Sequence, residues 1–274
     1  MKKISNISIL FYFIITTLLT KWLISQIYFD DNFIIDVISN INDQQYFPII
    51  ISLSNLNFSP TYLDNLNDYN TISFPIFGVL LHALFYSFFG FYAFIILEFF
   101  LKIILFIILY KTFEIIFEDK IKSINFCIFI IFAIFILKFF AITTDINIFH
   151  YLYDPFNNNF GSRVPRPLVT SIFYFLFYFQ IMKLRNNIKD DIDFKYFLAI
   201  TFLLSCFVNS FFYYFINFSI LLAILTYLYA GKKIIKIILN NKKKLIILIL
   251  FFLLFIFPFV LQIYFGENHY SQRI

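Results

Sequence analysis

Charge is scarce in this chain. Asp, Glu, Lys and Arg make up 14% of its 274 residues, against about 25% in ordinary soluble proteins. Glycine occurs five times, proline seven times and cysteine twice. Each shortage excludes something. Two cysteines cannot support a disulfide scaffold or a zinc ribbon. Five glycines are too few for a collagen repeat and argue against a glycine-rich nucleotide loop. What fills the chain instead is apolar: 61% of residues are hydrophobic, 24% are aromatic and 45 are Phe. A soluble domain of this length cannot hide so much apolar surface, and disordered chains are poor in aromatics. The expected class is an all-α, polytopic transmembrane protein, a single transmembrane domain over residues 1–274.

A spanning helix needs about 20 mostly apolar residues. Seven segments meet or approach this: Ile7–Tyr28, Tyr92–Phe113, Asn125–Ile142, Leu168–Met182, Tyr196–Val208, Phe211–Tyr229 and Leu245–Ile263. The run Phe74–Phe89, between Pro75 and Gly90, is shorter, and its status decides the topology. If it spans, Lys111–Lys122 falls outside and every later basic loop flips with it. If it lies at the outer interface or re-enters, the charges sort cleanly. Lys2, Lys3, Lys111, Lys120, Lys122, Lys183, Arg185, Lys189, Lys195 and the lysines of 232–244 then all face the cytoplasm. Most acids fall outside, including Asp30, Asp31, Asp36, Asp43, Asp64, Asp68, Asp145, Asp154 and Glu267. The positive-inside rule selects this second arrangement, with a cytoplasmic N-terminus. The net charge of +5 is then an orientation signal and gives no reason to propose nucleic acid as a partner. Met1-Lys2-Lys3 before an apolar run resembles a signal peptide, but no small-residue cleavage site follows, so a retained first helix is expected. Cys127 and Cys206 fall inside spans and read as buried thiols.

Three segments then face outward: loop 29–73 leading into an interfacial helix at 74–90, loop 143–167, and a tail at 264–274. Long loops in compact membrane proteins are usually functional. Asp30-Asp31 opens the first loop directly after a span. A carboxylate pair at that height can bind a divalent cation or act as a general base; equally, it can simply obey the charge asymmetry. Asp145 and Asp154 offer a second acidic contribution or a solvated loop. Arg163 and Arg166 break the charge rule beside Pro165 and Pro167. Their planar donor forks suit a phosphate or pyrophosphate, or they anchor the span to headgroups. His150 and His82 read as structural hydrogen-bonders or, less readily, as ligand or base. Glu98 and Lys102 are one turn apart within a span, where ionisable groups are functional candidates; each can neutralise the other. Asn209 sits at a turn between spans as a hydrogen-bonded loop residue.

This layout resembles the N-terminal seven-helix module of GT-C fold membrane glycosyltransferases, which use polyprenyl-phosphate-linked sugars. In that family a long first external loop starts with an acidic residue or pair. It continues through a Pro-initiated interfacial helix that ends near a Gly. Here those elements look like Asp30-Asp31, then Phe74-Pro75 through Phe89-Gly90. A short fifth span, and a sixth ending in Gly231-Lys232-Lys233, are similar as well.

The resemblance implies sugar transfer on the outer face to a cell-envelope acceptor. Asp30 or Asp31 would be the catalytic base. Asp31 would hold a divalent cation, Mg or Mn. Arg163 or Arg166 would face the donor phosphate, with Asp145 and Asp154 also at the substrate. The implied location is a bacterial plasma membrane, and the implied partners are the bilayer and the polyprenyl-phosphate sugar. Family members continue beyond seven spans, so a second membrane subunit or a truncated chain is also expected. The rival reading is a non-catalytic transporter, flippase or polysaccharide-assembly subunit, or a polymerase or ligase working through arginine-bearing external loops.

Overall fold

A computed structural model describes residues 8–9, 11–16, 46–57, 76–144, 146–160, 168–187, 194–210, 212–231 and 240–265. The described chain is all-helical. Its helices are α1 (Tyr46–Ser54), α2 (Ile76–Phe89), α3 (Tyr92–Phe117), α4 (Lys120–Thr143), α5 (Asn147–Phe160), α6 (Leu168–Asn187), α7 (Phe194–Val208), α8 (Phe212–Ala230) and α9 (Lys242–Phe265). Residues 11–16 are helical too. The remainder of the expected first span lies outside the described residues.

Three of these helices are long and apolar enough to cross a membrane: Tyr92–Phe117, Lys120–Ala141 and Lys242–Leu261. The apolar parts of α2, α6, α7 and α8 are shorter. In α6 the run is closed by Lys183 and Arg185. In α7 only 15 residues are helical, about 22 Å of rise.

Helix ends follow from local chemistry. Gly90 closes α2 at φ +56°, a left-handed conformation glycine adopts without strain, and its N–H donates to the Tyr86 carbonyl at 2.8 Å. α3 ends at Glu118, left-handed at φ 54°, whose N–H reaches the Glu114 carbonyl. Asp119 then caps α4, its Oδ1 accepting from the N–H groups of Ile121 at 2.8 Å and Lys122 at 3.2 Å. The reversal from α3 to α4 is thus made by two residues.

The main core surrounds α3. Ile49 and Ile50 of α1, Val79 and Ala83 of α2, Leu97 and Leu105 of α3, Cys127 of α4 and Leu168 of α6 are buried together, with Ile14. A second cluster joins α6, α7 and α8 through rings: Phe177 and Phe207 each lie 4.7 Å from Phe218, centroid to centroid. A third, of Ile76, Val208 and Phe259, ties α2 to α7 and α9.

Two stretches expected as loop are helical. Within 29–73, α1 is apolar and packs against α2, with Phe47 4.6 Å from Phe94 of α3. Within 143–167, α5 occupies fourteen residues despite Pro155.

Candidate functional site

Of the residues expected at an active site, Asp30, Asp31, Asp145, Arg163 and Arg166 lie outside the described residues. Asp154 is described. It is exposed on α5, one turn beyond His150, which is exposed as well, so the two share a face. Asn147 precedes them on the same arc. The helix gives these three side chains a common edge that a solvated loop would not. Tyr153, beside them, titrates above its ordinary value of 10.0, first because burial disfavours the phenolate and second because the Asp154 carboxylate repels it. Among the described residues no three His, Cys, Asp or Glu side chains converge to hold a metal ion.

Polar atoms are instead collected inside the helical core, at two places. The first is on α2. His82 is 0% exposed. Its Nδ1 lies 2.6 Å from the Gly78 carbonyl. A carbonyl only accepts, so Nδ1 carries the hydrogen and donates. In the neutral ring Nε2 is therefore an acceptor, and it has no hydrogen-bond partner among the described residues. The ring stacks on Phe94 of α3 at 5.7 Å. Glu98, also buried, follows Phe94 by one turn on the same face. An acceptor nitrogen and a buried acid thus stand along one wall of the main core. Lys102, one turn beyond Glu98, is partly exposed and has its Nζ 5.8 Å from the centre of the Phe106 ring.

The second place is the turn between α7 and α8. Asn209 is 0% exposed. Its Nδ2 donates to the Ser205 carbonyl at 2.8 Å and to the Phe255 carbonyl of α9 at 2.9 Å. Its own carbonyl accepts from the Ile76 N–H at 2.8 Å. One residue therefore joins the end of α7, the start of α2 and the middle of α9. The contact on α9 has a specific cause. Pro258 lies inside α9 and has no N–H for the Leu254 carbonyl. The amide supplies a donor to the adjoining Phe255 carbonyl, as neighbouring side chains do at prolines in apolar surroundings. Asn209 Oδ1 and Ser210 Oγ, both buried, have no partner among the described residues, nor has Thr170 Oγ1 at the start of α6.

The sequence placed His82 and Asn209 low as candidates. For Asn209 a signal did exist: Pro258 within an apolar run needs an outside donor, and Asn209 is a polar residue between two apolar helices. For His82 no signal existed, because its burial is decided by α1 and α3. Cys127 and Cys206 are both free and buried, as expected. Compared with protein-family models, curated proteins and solved structures, the chain matches none.

Proposed function

We propose that this chain is a seven-span membrane protein with α2 lying at the outer surface, and that it transfers a sugar from a polyprenyl-phosphate donor to a cell-envelope acceptor. The observation that carries the layout is how α2 is held. Its 14 residues rise about 21 Å, close to the length of α7, so its place follows from how its two ends are joined. Its first N–H is fixed to Asn209, at the end of α7, and its last turn passes through Gly90 directly into α3. A helix with its start at the end of one apolar helix and its end at the start of another fits a surface element fed by a long external segment. That arrangement resembles the Pro-initiated interfacial helix of GT-C fold glycosyltransferases.

In this reading Asp30 or Asp31 takes the proton of an acceptor hydroxyl as that oxygen attacks the anomeric carbon. The bond to the phosphate oxygen breaks with inversion, and the isoprenoid phosphate leaves. Arg163 or Arg166 stabilises the charge growing on that phosphate. Asp154, on the exposed edge of α5, and Asp145 contribute acceptor contacts. A divalent cation, Mg or Mn, held through Asp31 would supply further charge neutralisation. The N-terminus is cytoplasmic and the membrane is a bacterial plasma membrane.

The test is turnover. The protein is reconstituted with a labelled polyprenyl-phosphate sugar and candidate acceptors, beside Asp30→Asn and Asp31→Asn. Equal transfer by all three sinks the carboxylate assignment. A second reading, a non-catalytic transport, flippase or assembly subunit, draws on α9. Only 6% of its spanning window is buried within the chain, which leaves most of that helix for lipid or another subunit. Transfer by none of the three proteins, with the chain shown folded, supports that reading.

A further inference from the structure

We propose that α5 is an in-plane membrane-surface helix, and that its Ile148–Leu152 edge inserts among lipids at the boundary between headgroups and acyl chains. The sequence of α5 divides by helical position. Asn147, His150 and Asp154 form a polar arc. Phe149 and Tyr153 lie one turn apart, and so do Ile148 and Leu152. The Phe149 edge faces the protein: Phe149 is partly buried and stacks on Phe140 of α4 at 5.0 Å. The other apolar edge is bare, with Ile148 57% and Leu152 47% exposed.

What covers that edge follows from α4. Its buried side runs through Ser123, Cys127 and Ile130. Its opposite side exposes Phe129, Phe132, Ile136 and Phe139 at helical spacing, the face a spanning helix gives to lipid. α4 stops at Thr143 and α5 starts at Asn147. The exposed Ile146 and Ile148 prolong the lipid-facing surface of α4 into α5. A helix this short, polar along one edge, does not span; it lies along the interface. No Lys or Arg occurs in α5, and Asp154 is its only acidic residue. Insertion is therefore driven by apolar burial and is indifferent to anionic lipid. His150 and Asp154 are held at headgroup height, on the water side.

The inference rests on the spanning reading of α4 and not on sugar transfer. Single cysteines at 132, 148, 150, 152 and 154 are spin-labelled in the full chain, in a Cys127→Ala/Cys206→Ala background. Should that background misfold, the native one serves, since both thiols are buried. In neutral phosphatidylcholine vesicles, collision with oxygen should exceed collision with a water-soluble nickel chelate at 132, 148 and 152, and the ratio should invert at 150 and 154. Adding anionic lipid should leave the ratios unchanged. Nickel dominating at 148 and 152, with 132 still in lipid, overturns the proposal and leaves the span intact. Low collision with both probes at 148 and 152 means a protein covers the edge, and also overturns it. Nickel dominating at 132 removes the span and the proposal together. Ratios that change with anionic lipid overturn the uncharged insertion.

Discussion

Replacing Asn209 by Ala removes a single amide and isolates its hydrogen bond to α9 from the apolar contacts that also hold that helix. Two hydrogen bonds disappear, but their loss is unequal. The Ser205 carbonyl keeps the Asn209 backbone N–H as donor at 3.1 Å. The Phe255 carbonyl loses its donor from outside the helix, one residue from the carbonyl that Pro258 has already left unserved. A net hydrogen bond contributes about 1 kcal/mol, and a buried group left unsatisfied costs about 1–3 kcal/mol; in membranes the measured average is nearer 0.6 kcal/mol, with a maximum of about 1.7. The substitution also removes Oδ1, a buried acceptor with no partner among the described residues, which offsets part of the cost. The expected loss is about 1–1.5 kcal/mol. The cause can be separated from general damage by repeating the substitution in Pro258→Ala. There residue 258 regains its N–H for the Leu254 carbonyl and loses the ring that crowds that turn, so the Phe259 N–H can close on the Phe255 carbonyl and the outside donor matters less. The Asn209→Ala cost should then shrink by at least about 0.5 kcal/mol, above the scatter of independent sites. Reversible unfolding in mixed detergent and dodecyl sulfate, followed by far-ultraviolet circular dichroism, measures all four proteins. Equal losses in both backgrounds would refute the reasoning, because Asn209 would then act without reference to the proline.

The α3–α4 reversal yields a pair of opposite effects in the same assay. Asp119→Ala removes a two-bond cap and should cost about 1 kcal/mol, whereas Glu118→Gly relieves a left-handed non-glycine residue and should stabilise by up to about 1 kcal/mol. Tyr153 gives a pH test. Its folded-state pKa is raised, so its contribution is complete below the unfolded value of 10.0 and is lost as pH rises through the folded one. The tyrosinate absorbance lost on Tyr153→Phe should therefore titrate above pH 10.0 in the folded protein; a midpoint at or below that value removes the burial argument. Orientation is checked with Lys120→Cys, which should react with a membrane-impermeant maleimide only from the cytoplasmic side.

Where the sequence was legible, an apolar run ended at a charge or a turn. Tyr92, Leu168 and Val208 bound helices where the runs themselves stop. Elsewhere the helices outlast their runs for local reasons. α3 continues to Phe117 because Lys111 and Glu114 pair at 2.7 Å on its surface, so the charges that close the span do not close the helix. α4 begins five residues before its expected start because Asp119 caps it there. α1 was missed because a nine-residue, mostly apolar segment around Pro48 is too short to read as a span, and its burial is supplied by α2 and α3. α5 was missed because its composition is mixed and it contains Pro155; the signal it did carry was a period of 3.6 between Ile148, Leu152, Phe149 and Tyr153.

The candidate site divides along the same line. Charged residues can be sorted from sequence by the rule that membranes sort them, and that ordering points to Asp30, Asp31, Arg163 and Arg166, which lie outside the described residues. Neutral polar residues cannot be sorted in this way. His82, Thr170, Asn209 and Ser210 look alike in a sequence whether they face water or a core, and all four are buried. Their role depends on which carbonyls and N–H groups folding leaves over. Asn209 shows how such a surplus arises: Pro258 frees part of α9, Ile76 starts a helix with an unserved N–H, and the same residue meets both. In a chain with so little charge, helices that share similar apolar surfaces could slide past one another at little cost. The Asn209 side chain bonded to α9 and the Asn209 backbone carbonyl bonded to the first N–H of α2 penalise that sliding by about a kilocalorie per lost bond, and so select one register for α2, α7 and α9.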